Sequence, residues 1–242
     1  MKKILKTLAI AAITLSIGLI SACSASKQQA KPLPITEWTI EREAYSLAYD
    51  GQHKQARWVY EHLDASSVQG HVDRSKFDFQ EDPLIPSLLR ATKKDYAGSG
   101  FDRGHLCPAA DARFSEDAMR ETFYLSNISP QCPQFNRGYW AKLEKYVREL
   151  AKQYGAIHVF TGGLYLPHQE NGKKYVKYQV IGENEISVPT HYFKIIFSDD
   201  GAPLESYILP NEPISSDTPL KDFMTTVEKV EKAAGFVFKN PA

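Results

Sequence analysis

The window Gly98-Ser99-Gly100-Phe101-Asp102-Arg103-Gly104-His105 leads, twenty or so residues on, into Asn127-Ile128-Ser129-Pro130-Gln131 and then Asn136-Arg137-Gly138-Tyr139-Trp140. Beyond it, Trp140, Leu143, Val147, Leu150, Ala151 and Tyr154 recur at helical spacing, and Gly155 supplies a stop. This pattern predicts an amphipathic helix. Glu144 and Arg148 stand four apart on it and share one face, while Trp140, Leu143 and Val147 turn toward a core. Asn136 lies just ahead of the helix start. A short stretch thus gathers an imidazole, a neutral oxygen ligand, a carboxylate and the guanidinium groups of Arg103 and Arg148. Taken singly each has an ordinary reading: His105 as a satisfied histidine, Asn136 as a helix cap, Glu144 with Arg148 as an exposed ion pair of little worth.

Upstream, Ala44–Asp50 and Ala56–His62 alternate and are rich in aromatics, with Asp50-Gly51 between them, which predicts a hairpin. Its second arm sets Trp58 and Tyr60 on one face and Arg57 and Val59 on the other. Ser115-Glu116-Asp117 is a helix start, a capping hydroxyl followed by acids in the first turn. Downstream, Ile157–Thr161, Tyr175–Ile181, Tyr192–Ser198 and Glu205–Leu209 read as strands. A last helix is expected from about Pro219, capped by Asp217 or Thr218, through Leu220, Phe223, Val227 and Val230 to Gly235. Strands on both sides of a few helices, without β-α-β alternation, give an α+β class with an antiparallel or mixed central sheet.

The 242 residues are 43% hydrophobic and 24% charged, as in one ordinary globular domain; disorder, collagen-like repeats and multi-span membrane proteins are excluded. Lys2, Lys3 and Lys6 precede an apolar run from Leu8 to Ile20, the pattern of a secretory signal. Ile20-Ser21-Ala22-Cys23 resembles a bacterial lipobox, with plain cleavage after Ala22 as the alternative. Residues 1–22 are therefore read as a lipoprotein signal peptide, 23–40 as a polar tether and 41–242 as the folded domain, anchored in the bacterial cell envelope by a lipid on Cys23. Ser24 after the cysteine points to the outer membrane. Loss of the three lysines leaves 26 basic against 29 acidic side chains, a net charge of −3, so any phosphate site must be a local basic cleft. Cys107 and Cys132 could pair or could both be buried thiols. There is no G-x-S-x-G, P-loop, H-E-x-x-H or EF-hand loop.

Taken in order, Asp102-Arg103-Gly104-His105, Asn127-Ile128-Ser129-Pro130-Gln131, Asn136-Arg137-Gly138-Tyr139-Trp140 and Leu143-Glu144 resemble the DNA/RNA non-specific endonuclease family, the ββα-metal or His-Me finger nucleases. The likeness extends to Ala56-Arg57-Trp58-Val59-Tyr60, Thr161-Gly162-Gly163 and Val188–Lys194, and so covers about Tyr45 to Gly235. The resemblance implies a ββα-metal active-site motif and a metal-dependent endonuclease acting on DNA and RNA with little sequence or sugar preference. It implies His105 as the general base, Asn136 as the sole protein ligand of a hydrated Mg²⁺ (with Mn²⁺ as a substitute), and Glu144 acting on that ion through water. Arg57, Arg103 and Arg148 would clamp the phosphate or stabilise the transition state, and Asn127 would order the loop beside the site and join the three arginines in binding substrate. Cys107 and Cys132 flanking the motif, and a mature chain that is not basic, depart from the simplest family pattern. A narrower nucleotide phosphodiesterase is the nearest rival among enzymes. A surface lipoprotein that keeps the fold as a binding module is the rival outside them. The sequence leaves the oligomeric state and any inhibitor partner open.

Overall fold

The hairpin at Asp50-Gly51 grows into a six-stranded antiparallel sheet. A computed structural model describes residues 38–238; the signal segment, Cys23 and nearly all of the tether lie outside them. The large sheet is built from β1 (Trp38–Glu41), β2 (Ser46–Asp50), β3 (Gln55–Asp64), β6 (Ala156–Leu164), β11 (His191–Ser198) and β12 (Pro203–Pro210), in the order β1-β2-β3-β6-β11-β12. Between β3 and β6 the chain forms α1 (Lys93–Tyr96), β4 (Asp102–His105), α2 (Glu116–Thr122), β5 (Ile128–Gln131) and α3 (Ala141–Tyr154). Between β6 and β11 lie two small ribbons, β7 (His168–Glu170) with β8 (Lys173–Tyr175) and β9 (Val180–Ile181) with β10 (Ile186–Ser187). The chain ends in α4 (Val227–Ala234).

Both faces of the sheet are covered, which is why β11 reads Tyr-Phe-Lys-Ile-Ile-Phe rather than alternating apolar with polar. On one face Leu143, Val147, Leu150 and Ala151 of α3 meet Val59, Leu63, Ile157, Val159 and Ile196 in the main core. On the other, Phe193, Ile195 and Leu164 pack with Val230 of α4 and with Phe160, Phe197, Phe236 and Phe238. The α+β class expected from the sequence is the class observed.

The α3 periodicity and its stop agree with the structure, Gly155 taking φ +86° where a side chain would be strained. Ser115 caps α2, its hydroxyl accepting from the amides of Asp117 and Ala118. Four expectations change. β1 begins at Trp38, inside the stretch assigned to the tether, because the Trp38 ring packs edge-on against Tyr49 at 6.5 Å. The Tyr175–Ile181 strand is not continuous: only its ends pair, and Val176 and Tyr178 between them stay exposed with no sheet to cover them. The last helix starts at Val227 rather than Pro219. Leu220–Phe223 makes a single 3₁₀ turn, after which the Thr225 amide donates to Ser206 on β12 and Thr226 becomes the cap of α4. Finally, α3 is preceded by a π-helical stretch, Phe135–Trp140, so Asn136 sits within a helical turn instead of ahead of it.

Candidate active site

β4 and β5 pair antiparallel with Asp102 opposite Gln131 and His105 opposite Ile128, and the chain leaves β5 through the π-helical turn into α3. This is a ββα unit. Gly104 is required at its centre: a Cβ there would stand 2.2 Å from the Gln131 side-chain oxygen, which lies across the ribbon. A π-helical turn widens the helix by one residue, and it is at such a turn that Asn136 is presented.

Asp102 fixes how Asn136 points. Its carboxylate accepts from the Asn136 amide nitrogen at 2.9 Å and from Arg137 at 2.7 and 2.5 Å. Burial pushes the Asp102 carboxyl up, but the donated bonds from Arg137 and Asn136 outweigh it and hold the group below the usual carboxylate range. An ionised carboxylate only accepts, so the amide NH₂ must face Asp102 and the amide oxygen must face away, free to meet a cation. The ligand atom expected of Asn136 is therefore oriented in advance.

His105 lies between two rings, Phe79 at 5.5 Å and Phe123 edge-on at 5.1 Å, and its buried Nε2 has no hydrogen-bond partner among the described residues. Burial, with a smaller push from Arg74, lowers its pKa to about 3, so the imidazole is neutral at working pH. Phe79 also carries the Arg103 guanidinium on its face at 4.5 Å, which sets the base and a cation on one aromatic support. Arg74 rests over Phe123 at 5.8 Å and its charge acts on both His105 and Glu144. Neither Phe79 nor Arg74 was singled out from the sequence. Their segment, Asp73-Arg74-Ser75-Lys76-Phe77-Asp78-Phe79, has no strong periodicity, and its mix of cations and aromatics was the one available signal.

Glu144 projects from the first turn of α3. Burial raises its pKa to about 7, opposed by Lys194, reinforced by Asp111 and opposed again by Arg148 and Arg74. Beneath it runs a band of buried charge that the sequence did not disclose. Glu61 of β3 and Asp111 are both raised, chiefly by burial. Lys194 of β11 is 1% exposed, donates to the Thr161 hydroxyl at 2.7 Å and sits over the Trp140 ring at 5.2 Å. Arg148 donates to Asp111 at 2.9 Å, so it braces this band as well as flanking Glu144.

Asn127 orders the loop as expected but is not free to bind substrate as well, and Arg57 lies elsewhere. Asn127 is fully buried, and its amide is spent within the protein: the nitrogen donates to the carbonyls of Cys107 and Thr122 and the oxygen accepts from the Cys107 amide. It ties the chain after His105 to the loop before β5 and has no contact to offer a substrate. Arg57 is not brought to His105. A bulge between Ala48 and Tyr49 leaves it without a ladder partner, and it lines a hollow with Asp50, His53, Gly163 and Tyr165, its guanidinium 3.8 Å from Asp50. The β3 residue that reaches the buried charges is Glu61, four positions or about 13 Å further along the strand. Cys107 and Cys132 are both free thiols. Burial pushes the Cys107 thiol well up, with Glu61 adding to the effect, so it is an inert packing group.

The donors gathered here suit a hard divalent ion: a neutral amide oxygen already turned outward, and the half-buried Glu144 carboxylate, whose charged form burial disfavours and a cation would favour.

The family model for DNA/RNA non-specific endonucleases matches residues 24–242. The chain belongs to the DNA/RNA non-specific endonuclease family. Mitochondrial endonuclease G of Homo sapiens is 46% identical over 201 residues, 81% of this chain and 68% of that protein. Nuclease C1 of Cunninghamella echinulata var. echinulata is 47% identical over 206 residues, 82% of this chain and 81% of that one. A solved EndoG/EndoGI complex contains a chain that superposes with a TM-score of 0.81 at 46% identity, covering 85% of this chain and 87% of that one. As a member of this family the chain is a metal-dependent nuclease, a hydrolase of nucleic acids, and the ββα unit of β4, β5 and α3 is the motif that the family resemblance led one to expect.

Proposed function

We propose that the protein is a Mg²⁺-dependent endonuclease that cuts DNA and RNA with little regard for base or sugar, held to the bacterial cell envelope by a lipid on Cys23. The observation that carries the catalytic reading is the pairing of a pre-oriented Asn136 amide oxygen with a neutral His105 on the same ββα unit. Asn136 would hold the ion, and Glu144 would hold its water shell in place; an uncharged ligand leaves the ion's full charge for the phosphate. Bound there, Mg²⁺ supplies Lewis-acid stabilisation to the phosphoryl and leaving oxygens.

The protein's own groups do the rest. His105 accepts a proton from the attacking water as its oxygen bonds to phosphorus and the bond to the 3′ oxygen breaks, general-base help worth about 10²–10⁴-fold. An imidazole held near pKa 3 is a weak base in the free protein, but a phosphate anion entering beside it raises that value where the proton must be taken. Arg103, exposed and with no ion pair among the described residues, is the cation best placed to meet the phosphate, while Arg74 is the cation whose charge acts on the base.

The test is cleavage of plasmid, single-stranded DNA and RNA by the purified protein with Mg²⁺, with Mn²⁺ and with EDTA. All three polymers should be cut with metal and none with EDTA; activity that survives EDTA would remove the ion from the mechanism. For the anchor, metabolic labelling with a fatty-acid analogue should mark the protein, and Cys23→Ser should abolish the mark. Absence of label on the wild type would reject the lipid.

A further inference from the structure

Two histidines face each other across the central strands on the side of the sheet away from Glu61. His62 of β3 is the register partner of His158 on β6, their ring centroids 4.9 Å apart. Asp199, in the turn between β11 and β12, completes the group. Its Oδ1 is 2.9 Å from His62 Nε2 and 3.8 Å from His158 Nε2, and one ligand atom from each of the three residues lies within 4.8 Å of the others. We propose that His62, His158 and Asp199 form a binding site for a borderline transition cation, Zn²⁺ above all, separate from the nuclease centre.

The donor set is the first reason. Two imidazole nitrogens and one carboxylate oxygen, with a fourth position open to water, are ligands that zinc accepts in tetrahedral geometry, whereas Mg²⁺ favours oxygen alone. Spacing is the second. Bonds of about 2.0–2.1 Å in a tetrahedron put donor atoms about 3.4 Å apart, and the two distances to Asp199 straddle that value. The side chains of His62 and Asp199 are exposed, so both have room to turn about an ion. Orientation is the third. The Tyr60 hydroxyl lies 2.9 Å from His158 Nδ1, and His158 Nε2 lies 3.2 Å from the Asp199 carbonyl, to which it donates in the metal-free protein; a cation at Nε2 would shift the ring proton to Nδ1, where Tyr60 stands ready to accept it. Metal-binding histidines are commonly fixed through the other ring nitrogen in this way. A cation here would tie the β11–β12 turn to β3 and β6.

The bland reading is a surface His–Asp contact that contributes little. Calorimetric titration of the purified, tag-free protein with Zn²⁺ in excess Mg²⁺ separates the two, run beside His62→Ala/His158→Ala. The wild type should take up one Zn²⁺ per chain in a step weakened about tenfold or more in the double variant. Zn²⁺ should also raise the wild-type Tm and leave that of the variant unmoved, while Mg²⁺-supported cleavage by the variant stays at the wild-type level. Asp199→Asn, which keeps the side chain's shape, should weaken the same step and covers the case of a double variant that misfolds. Superimposable titrations of wild type and Asp199→Asn or double variant, or no Zn²⁺ uptake by the wild type, would overturn the site.

Discussion

At the scale of single residues, the site is a matter of which atoms are left free once neighbours have been satisfied. His105 has a buried nitrogen without a partner and Asn136 has its oxygen turned out, whereas Asn127 has used all its capacity on Cys107 and Thr122. His105→Ala should therefore lower turnover by about 10²–10⁴-fold with the circular dichroism spectrum unchanged; full activity in a folded variant would reject the base. Asp102→Ala should act through Asn136. With its carboxylate gone the amide is free to flip, so the Mg²⁺ concentration needed for half-maximal rate should rise more than turnover at saturating Mg²⁺ falls, as for Asn136→Ala but more weakly. An unchanged metal requirement would mean that Asp102 serves only Arg137. His105, Asn136 and Glu144 were legible because each stands in a short string of distinctive residue types. Arg57 was assigned to the site from the likeness of Ala56-Arg57-Trp58-Val59-Tyr60 to the family's arginine strand, and neither that likeness nor alternation could reveal the bulge beside it. Glu61 and Lys194 stayed hidden because one charge inside Trp-Val-Tyr-Glu-His-Leu or Tyr-Phe-Lys-Ile-Ile-Phe gives no sign that it will be buried against another from a distant strand.

Among elements, those with strong periodicity were readable and those set by a distant hydrogen bond were not. The hairpin and α3 belong to the first kind; the late start of α4, imposed when Thr225 bonds to β12, belongs to the second. The short helix α1 shows how such long-range bonds hold the scaffold. Asp95, 2% exposed, accepts from the amide and hydroxyl of Thr92 and from the backbone and side chain of Asn184, docking the β9–β10 turn onto α1. Gly182 closes over it at φ +68°, where a Cβ would meet Asp95 at 2.3 Å. Burial pushes the Asp95 carboxyl up, yet the bonds from Asn184 and Thr92 more than offset this, and it ends below its ordinary value. A depressed carboxyl contributes stability that is whole above the unfolded value, near ~3.9, and is lost as pH falls through the lower folded value. Asp95→Asn should cost about 2 kcal/mol at pH 7, read from urea unfolding midpoints, and the gap from wild type should narrow by pH 3. A gap of constant size would show that ionisation of Asp95 contributes nothing.

For the whole molecule, the question is how a chain with 29 basic and 29 acidic side chains, and so no net charge, grips a polyanion. No overall positive field draws the substrate in, so binding must rest on a few local guanidinium groups, of which Arg103 and Arg74 flank the base. Each phosphate contact releases counterions, and the logarithm of the binding constant falls with the logarithm of salt in proportion to their number. Two or three contacts predict about a 10–40-fold loss of affinity between 50 and 200 mM salt, much shallower than for a protein that tracks a long stretch of duplex. On the proposed mechanism the same residues set the specificity. They address phosphate, metal and water, which position a strand without reading its bases, and none of them is placed as a dedicated partner for a 2′-hydroxyl. Matched DNA and RNA oligomers of one sequence, digested at the two salt levels, should show similar rates for the two sugars and the shallow salt dependence for both. A steep salt slope would mean that further basic residues join the interface. Cutting of one sugar alone would mean that a contact outside the ββα unit reads the strand, and would favour a narrower phosphodiesterase.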